Sequence, residues 1–261
     1  MNASNANSRA AGPQRFEPPP ARLDVRVRTV ATFICFGGAL IFLVLVLGPL
    51  MALAHALGDR DRKVARRWVR RVYRGVLAWF CGSGLRFEPF DWSQAPESCI
   101  IVANHQSIMD ILIMYFFPRD ARVWAKDWPF NRPLLGWMMR LCGYLHVDSP
   151  DIMEQAGQVL KAGGSLYIFP EGTRSRDGRL GRFHDGAFAL AVKTNTPIVA
   201  VAINGSGRCI PAGHVRVYRP NITVRVLGVL RSDPDAEKPQ AALKAATVKL
   251  IAAALPPQNQ A

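Results

Sequence analysis

The sequence has no C-x-x-C, and Cys35, Cys81, Cys99, Cys142 and Cys209 lie scattered, without zinc-ligand spacing to the five histidines. That excludes a structural zinc module and offers no disulfide framework, so the thiols are expected to pack as small apolar groups in a reducing compartment. Also missing are a G-x-S-x-G elbow, a P-loop, a G-x-G-x-x-G and an H-E-x-x-H, which removes the usual signatures of serine hydrolases, nucleotide-binding proteins and zinc peptidases. Acidic residues are scarce, 19 against 33 Lys and Arg, a formal charge of +14. Such an excess favours polyanionic partners: phospholipid head groups, phosphorylated small molecules or nucleic acid.

Charge is absent altogether from Thr29 to Gly58, whose middle reads FICFGGALIFLVLVLGPLMAL. As a helix this stretch would exceed the roughly 30 Å hydrocarbon core of a bilayer. It could span, tilt, or break at Gly48-Pro49 and dip back out. A cleaved signal peptide is the rival, with Ala52 to Ala54 as a small-residue site, but the preceding polar segment is long and the apolar run exceeds a usual signal core. Next, Ala65, Trp68, Val69, Val72, Val76, Trp79 and Phe80 recur at helical spacing, with Lys63, Arg66, Arg67, Arg70, Arg71 and Arg74 on the remaining face. This predicts a basic amphipathic helix over 60–80 that lies on an anionic membrane surface. Basic residues flank the apolar run on both sides, which favours a re-entrant helix pair over a plain span.

Residues 1–24 and 256–261 read as disordered tails, 25–84 as membrane-associated helices (apolar over 29–58) and 85–255 as the catalytic domain. Within that domain the pattern predicts strands near Cys99 to Ala103, Ala121 to Ala125, Ser165 to Phe169, Pro197 to Ile203, Val215 to Tyr218 and Ile222 to Leu227. Helices are predicted from Ser107, and over Leu134 to Cys142, Ile152 to Lys161, Gly186 to Thr194 and Glu237 to Leu255. The alternation argues for an α/β fold: a mixed, largely parallel sheet flanked by helices, preceded by a membrane-embedded helix pair. Ligands of such sheets meet the loops at the carboxyl ends of strands.

Two strand exits carry chemistry. In NHQSIMD, Ser107 and Asp110 have capping-box spacing, which sets His105 just outside a helix start. A carboxylate that takes the proton of one imidazole nitrogen fixes the tautomer and leaves the other basic. The alternative is purely structural, with Asp110 a cap and His105 a turn residue. In YIFPEGTRSRDGRLGRF, a Gly turn is surrounded by Arg174, Arg176, Arg179 and Arg182, a setting that suits a phosphate. With a base and no serine or cysteine nucleophile in evidence, the substrate's own hydroxyl is the natural nucleophile.

These segments, in this order, resemble the glycerophospholipid acyltransferases, whose best-known members are the 1-acyl-sn-glycerol-3-phosphate acyltransferases. The resemblance covers roughly Cys99 to Ile203 and the N-terminal helices. It implies that His105 is the general base and Asp110 its orienting partner, and that Glu171, Gly172, Thr173 and Arg174 of the FPEGTR block, with Lys126, bind the acceptor's glycerol phosphate. Ser149, in GYLHVDS, stands where the family usually has a phosphate-binding arginine. Aspartate at 110 differs from the glutamate of the related lipid A acyltransferases.

The implied reaction moves a fatty acyl group from acyl-CoA or acyl carrier protein to 1-acyl-sn-glycerol 3-phosphate, giving phosphatidic acid. No resident cofactor or metal is implied, and no nucleic acid. The expected place is the cell inner membrane, with the active site on the cytoplasmic face. Another lysolipid, a lysophospholipid or lyso-ornithine lipid, is the alternative acceptor. A non-enzymatic basic membrane-binding protein is the distant alternative, which the pairing of the two strand-exit motifs disfavours.

Overall fold

The structure is a computed structural model and describes residues 22–211, 213–257 and 260. The tail expected over residues 1–24 lies outside these up to position 21, and a helix is already under way at Leu23. Helices α1 (Leu23–Phe42) and α2 (Gly48–Ala56) are joined through a π-helical turn, Leu43–Leu47, into one rod. The rod has 34 residues and is long and apolar enough to cross a membrane. Of the courses open to this stretch, a break at Gly48-Pro49 is not the one taken: Pro49 cannot donate to the preceding turn, and the wider π turn absorbs the misfit without reversing the chain.

Helix α3 (Lys63–Cys81) folds back along that rod. Its buried stripe is rotated from the sequence-based expectation. Arg66, Val69, Leu77 and Phe80 face inward, whereas Trp68 and Trp79 are exposed. Arg66 turns in because it has a partner: Nε and Nη2 donate to the two oxygens of Asp120 at 2.7 and 2.6 Å, and Nη1 donates to the Cys142 carbonyl at 3.1 Å.

Among the described residues seven strands follow: β1 (Leu85–Phe87), β2 (Ile100–Ala103), β3 (Ala121–Ala125), β4 (Leu145–His146), β5 (Ser165–Ile168), β6 (Ile198–Asn204) and β7 (Ile222–Leu230). They form one sheet ordered β1-β7-β6-β2-β5-β3-β4, parallel throughout except for β6 against β7. Period-two burial divides the core. Ile101, Ala103, Tyr167, Val199 and Val201 face the layer that includes α3, while Ile100, Val102, Leu166, Ile168 and Ala200 face the opposite layer.

Helices α4 (Met109–Ile113), α5 (Asp127–Phe130), α6 (Pro133–Leu141), α7 (Ile152–Lys161), α8 (Gly186–Thr194), α9 (Ser206–Cys209) and α10 (Pro239–Ala254) complete the domain. The predicted strand at Val215 to Tyr218 is absent. Its backbone is satisfied elsewhere: Val217 N–H donates to Thr29 Oγ1 at 3.0 Å and Tyr218 N–H to the Cys209 carbonyl at 2.8 Å, which ties this loop to α1 and α9. The cysteines are all unpaired, four buried and Cys35 partly so.

Candidate active site

Because β2, β5 and β3 are parallel neighbours, their carboxyl ends open on one side of the sheet. The first exit carries Asn104 to Asp110. Asn104 continues the sheet by side chain, donating to the Ile203 carbonyl at 2.9 Å and accepting the Ile203 N–H at 2.8 Å. This fixes where the chain leaves β2. The α-helix proper begins at Met109 rather than Ser107, yet the cap is formed: Asp110 Oδ2 accepts the N–H groups of Gln106 and Ser107, both at 2.7 Å.

The same oxygen lies 2.9 Å from His105 Nδ1. Asp110 is fully buried and His105 only 12% exposed, so this contact works with little competition from water. With Nδ1 engaged, Nε2 is the remaining nitrogen of an imidazole that lines the cleft. Phe169 stacks on the ring, with centroids 4.1 Å apart, and limits its tilt.

The second exit carries Phe169 to Arg174. Gly172 N–H closes a turn on the Phe169 carbonyl at 3.0 Å, and Gly172 adopts φ +65°, where a β-carbon would be strained and would meet the His184 ring at 3.3 Å. Glu171 points away from the cleft. Its Oε1 accepts the His105 N–H at 2.7 Å and its Oε2 accepts the Gly181 N–H at 2.9 Å. Burial pushes this carboxyl up to about 7, against the opposing pull of those two amides. Ser175 N–H, directly after the FPEGTR block, donates to the His105 carbonyl at 2.8 Å, so residues 171–175 grip the histidine backbone from both sides.

The third exit carries Lys126, directly before α5. His105, Lys126, Gly172, Thr173, Arg174 and Arg176 all line one cleft of about 1180 Å³. Of the residues implicated by sequence, Asp110 and Glu171 sit behind this wall, Arg179 and Arg182 do not line it, and His105, Lys126, Gly172, Thr173, Arg174 and Arg176 form it. Ser149 instead hydrogen-bonds Asp151, and Asp148 beside it reaches the cleft.

Sequence reading passed over Asn104, Gln106, His184 and His214. The two histidines line the cleft, and Gln106 Nε2 donates to the Gly178 carbonyl at 3.1 Å. A usable signal was present for the first pair, since polar side chains directly after a fully apolar strand must find buried partners. His184 and His214 carried no comparable signal.

A shaped cleft with a carboxylate-held imidazole on one wall and cations on the others suits deprotonation of a hydroxyl on an anionic substrate. The family model described as Acyltransferase matches residues 87–204. A chloroplast 1-acyl-sn-glycerol-3-phosphate acyltransferase of Brassica napus is 31% identical over 79% of this chain and 62% of its own length. A 1-acyl-sn-glycerol-3-phosphate acyltransferase of Pseudomonas aeruginosa is 30% identical over 56% of this chain and 58% of its own. The chain thus spans less than two thirds of these curated relatives. The crystal structure of the 1-acyl-sn-glycerophosphate acyltransferase PlsC of Thermotoga maritima superposes with a TM-score of 0.70 at 25% identity, over 87% of this chain and 94% of that one.

Proposed function

From the match of residues 87–204 to the acyltransferase family model, we propose that the chain is a membrane-bound O-acyltransferase that acylates the free hydroxyl of 1-acyl-sn-glycerol 3-phosphate, giving phosphatidic acid. The observation that carries this reading is the 2.9 Å contact of His105 Nδ1 with a buried Asp110, on a cleft shared with Lys126, Arg174 and Arg176. His105 Nε2 takes the hydroxyl proton as the oxygen attacks the thioester carbonyl of acyl-CoA or acyl carrier protein. The C–O bond forms, and the tetrahedral oxyanion collapses with cleavage of the C–S bond. The departing thiolate recovers the proton from the imidazolium, whose charge Asp110 offsets meanwhile. A positioned base of this kind contributes about 10²- to 10⁴-fold, or about 3 to 5 kcal/mol of barrier.

Lys126, Arg174 and Arg176 are the groups we assign to the acceptor phosphate. A different lysolipid is the second reading, and one observation favours it: Asp148, an acid, lines the cleft beside the serine at 149, where an arginine would bring a further cation.

Membrane attachment is supported by the long apolar rod and by the side it leaves open. Val27, Val30, Ile34, Ile41 and Leu45 recur along one exposed face, while Val25, Thr32, Ala39, Leu43, Leu47 and Met51 form the buried stripe. Helix α3, with six basic residues, packs beside the rod and is too polar for hydrocarbon, so the rod lies within one leaflet rather than perpendicular to it. The matching place is the cytoplasmic face of the inner membrane, where anionic lipid attracts the arginines.

The test is acyl transfer from radiolabelled acyl-CoA to lysophosphatidic acid in membranes containing wild type or His105→Ala. Loss of activity in the variant at equal expression is expected. Equal activity would overturn the general-base role, and no transfer from acyl-CoA or acyl carrier protein to any of a panel of lysolipids would overturn the enzyme reading.

A further inference from the structure

Exposed apolar surface does not stop at the N-terminal rod. Helix α6 presents Leu134 and Trp137, three positions apart and so on one face, 44% and 38% exposed, and α5 presents Trp128 at 51%. The Trp137 ring lies against Gly48 of α2, where a β-carbon would come within 2.4 Å of its Cη2. Helix α6 therefore adjoins the rod at a point where Leu45, Val46 and Leu50 are themselves exposed. Trp128, at the other end, lines the catalytic cleft. Arg132 and Arg140, both exposed, accompany these residues. Indole rings beside arginines, next to a lipid-exposed helix, match the chemistry of a bilayer interface, where the ring sits among head groups and the guanidinium meets phosphate. Water alone is a poor account of three large apolar side chains on two short helices that border one another.

We propose that α5 and α6 form a second lipid contact, with Trp128, Leu134 and Trp137 seated in the head-group region of an anionic phospholipid bilayer. The cleft mouth is thereby held against the surface from which a lysolipid enters. This inference rests on the membrane-acyltransferase reading. It adds to that reading a contact from the catalytic domain itself.

The test uses the full chain in a Cys35→Ser background, since the other four cysteines are buried. An environment-sensitive fluorophore is attached at Leu134→Cys, at Leu53→Cys on the rod, or at Lys249→Cys on the outer face of α10. Each protein is reconstituted in phosphatidylcholine vesicles containing phosphatidylglycerol, with and without nitroxide-bearing lipid, after circular dichroism has verified its fold. Blue-shifted emission quenched by nitroxide lipid is expected at 134 and 53, and neither change at 249. A response at 53 with none at 134 overturns the second contact and leaves the membrane reading standing. No response at either position overturns both. Oxidative cross-linking of the unlabelled Leu134→Cys chains to one another, with no lipid quenching at 134, assigns the face to a second copy and also overturns the proposal.

Discussion

Glu171 Oε1 accepts the backbone N–H of His105 at 2.7 Å, and through its other oxygen Glu171 also holds Gly181. A residue expected to touch substrate is thus a backbone clamp for His105. Glutamine is its isostere but turns a donor toward one of the two N–H groups, so one buried amide loses its acceptor, at a cost of about 1 to 3 kcal/mol. A displacement of the base by about 1 Å costs on the order of 10²-fold. We therefore expect Glu171→Gln to lower kcat markedly while leaving the KM of the acceptor nearly unchanged. A raised KM with intact kcat would return Glu171 to a substrate-binding role.

The same carboxyl gives a pH dependence. Its value rises on folding from 4.5 to about 7, so the folded state holds the proton more tightly than the unfolded chain. The associated stability is fully present below the unfolded value and is lost as pH rises through 7, a difference of about 3 kcal/mol. Thermal unfolding of the wild type should show a falling Tm between pH 5 and 8, on top of the other titrations. Glu171→Gln should flatten that decline, and an unaltered decline would show that another group causes it.

Asp110 Oδ2 serves three donors, one imidazole and two backbone amides. Asparagine retains an acceptor oxygen for this cluster but not the charge that offsets a developing imidazolium. Asp110→Asn should therefore fold and lose about 10²- to 10⁴-fold in kcat. Asp110→Ala should in addition lower the Tm, since two buried amides lose their acceptor, about 1 to 3 kcal/mol apiece. Equal kcat for wild type and Asp110→Asn would remove Asp110 from the mechanism.

The strands that build the site were legible because each buried one is a continuous apolar run ended by a turn residue: residues 100–103 before Asn104, 166–169 before Pro170, 198–203 before the Asn204-Gly205 turn. The capping box likewise placed Asp110 behind His105 from spacing alone. Glu171 was not legible in this way. Its partners are amides 66 and 10 residues away, and no local pattern encodes a backbone acceptor. The two-residue β4 and three-residue β1 lack the length for a periodic signal. Val215 to Tyr218 alternates like a strand, but its donors are taken by Thr29 and Cys209.

Arg66 shows a similar blindness, because helical spacing put it with the solvated arginines while Asp120, 54 residues on, draws it inside. Its guanidinium is only 5% exposed, so removing the carboxylate strands a buried charge. Asp120→Ala should destabilise by about 3 kcal/mol, the low end for a broken buried pair because Asp120 itself is half exposed. Against the cost of burial, the Arg66 hydrogen bonds hold the Asp120 carboxyl below its ordinary value, so this contribution is present at neutral pH and lost as pH falls through the acid range. The check is chemical denaturation of both proteins at pH 7 and at about pH 2, well below the 3.8 of an unperturbed aspartate, with the gap between them narrowing at the lower pH. A gap of equal size at both values would mean that Asp120 acts by packing rather than by charge.

Lys126 and Arg174 stand on different strand exits, after β3 and after β5, yet line the same cleft. If both hold the acceptor phosphate in ground state and transition state alike, their loss removes uniform binding: KM rises and kcat changes little. Each charge-assisted contact is worth about 1.5 to 3 kcal/mol, so Lys126→Ala and Arg174→Ala should each raise the KM for lysophosphatidic acid about 10-fold or more. The effect should shrink for a lysolipid whose phosphate is esterified, because its single negative charge gains less from a cation. Comparing the KM ratio of variant to wild type across the two acceptors isolates the phosphate from the rest of the head group. Equal ratios would mean that these side chains act on the acyl donor or on the cleft's shape, and would favour an acceptor other than lysophosphatidic acid.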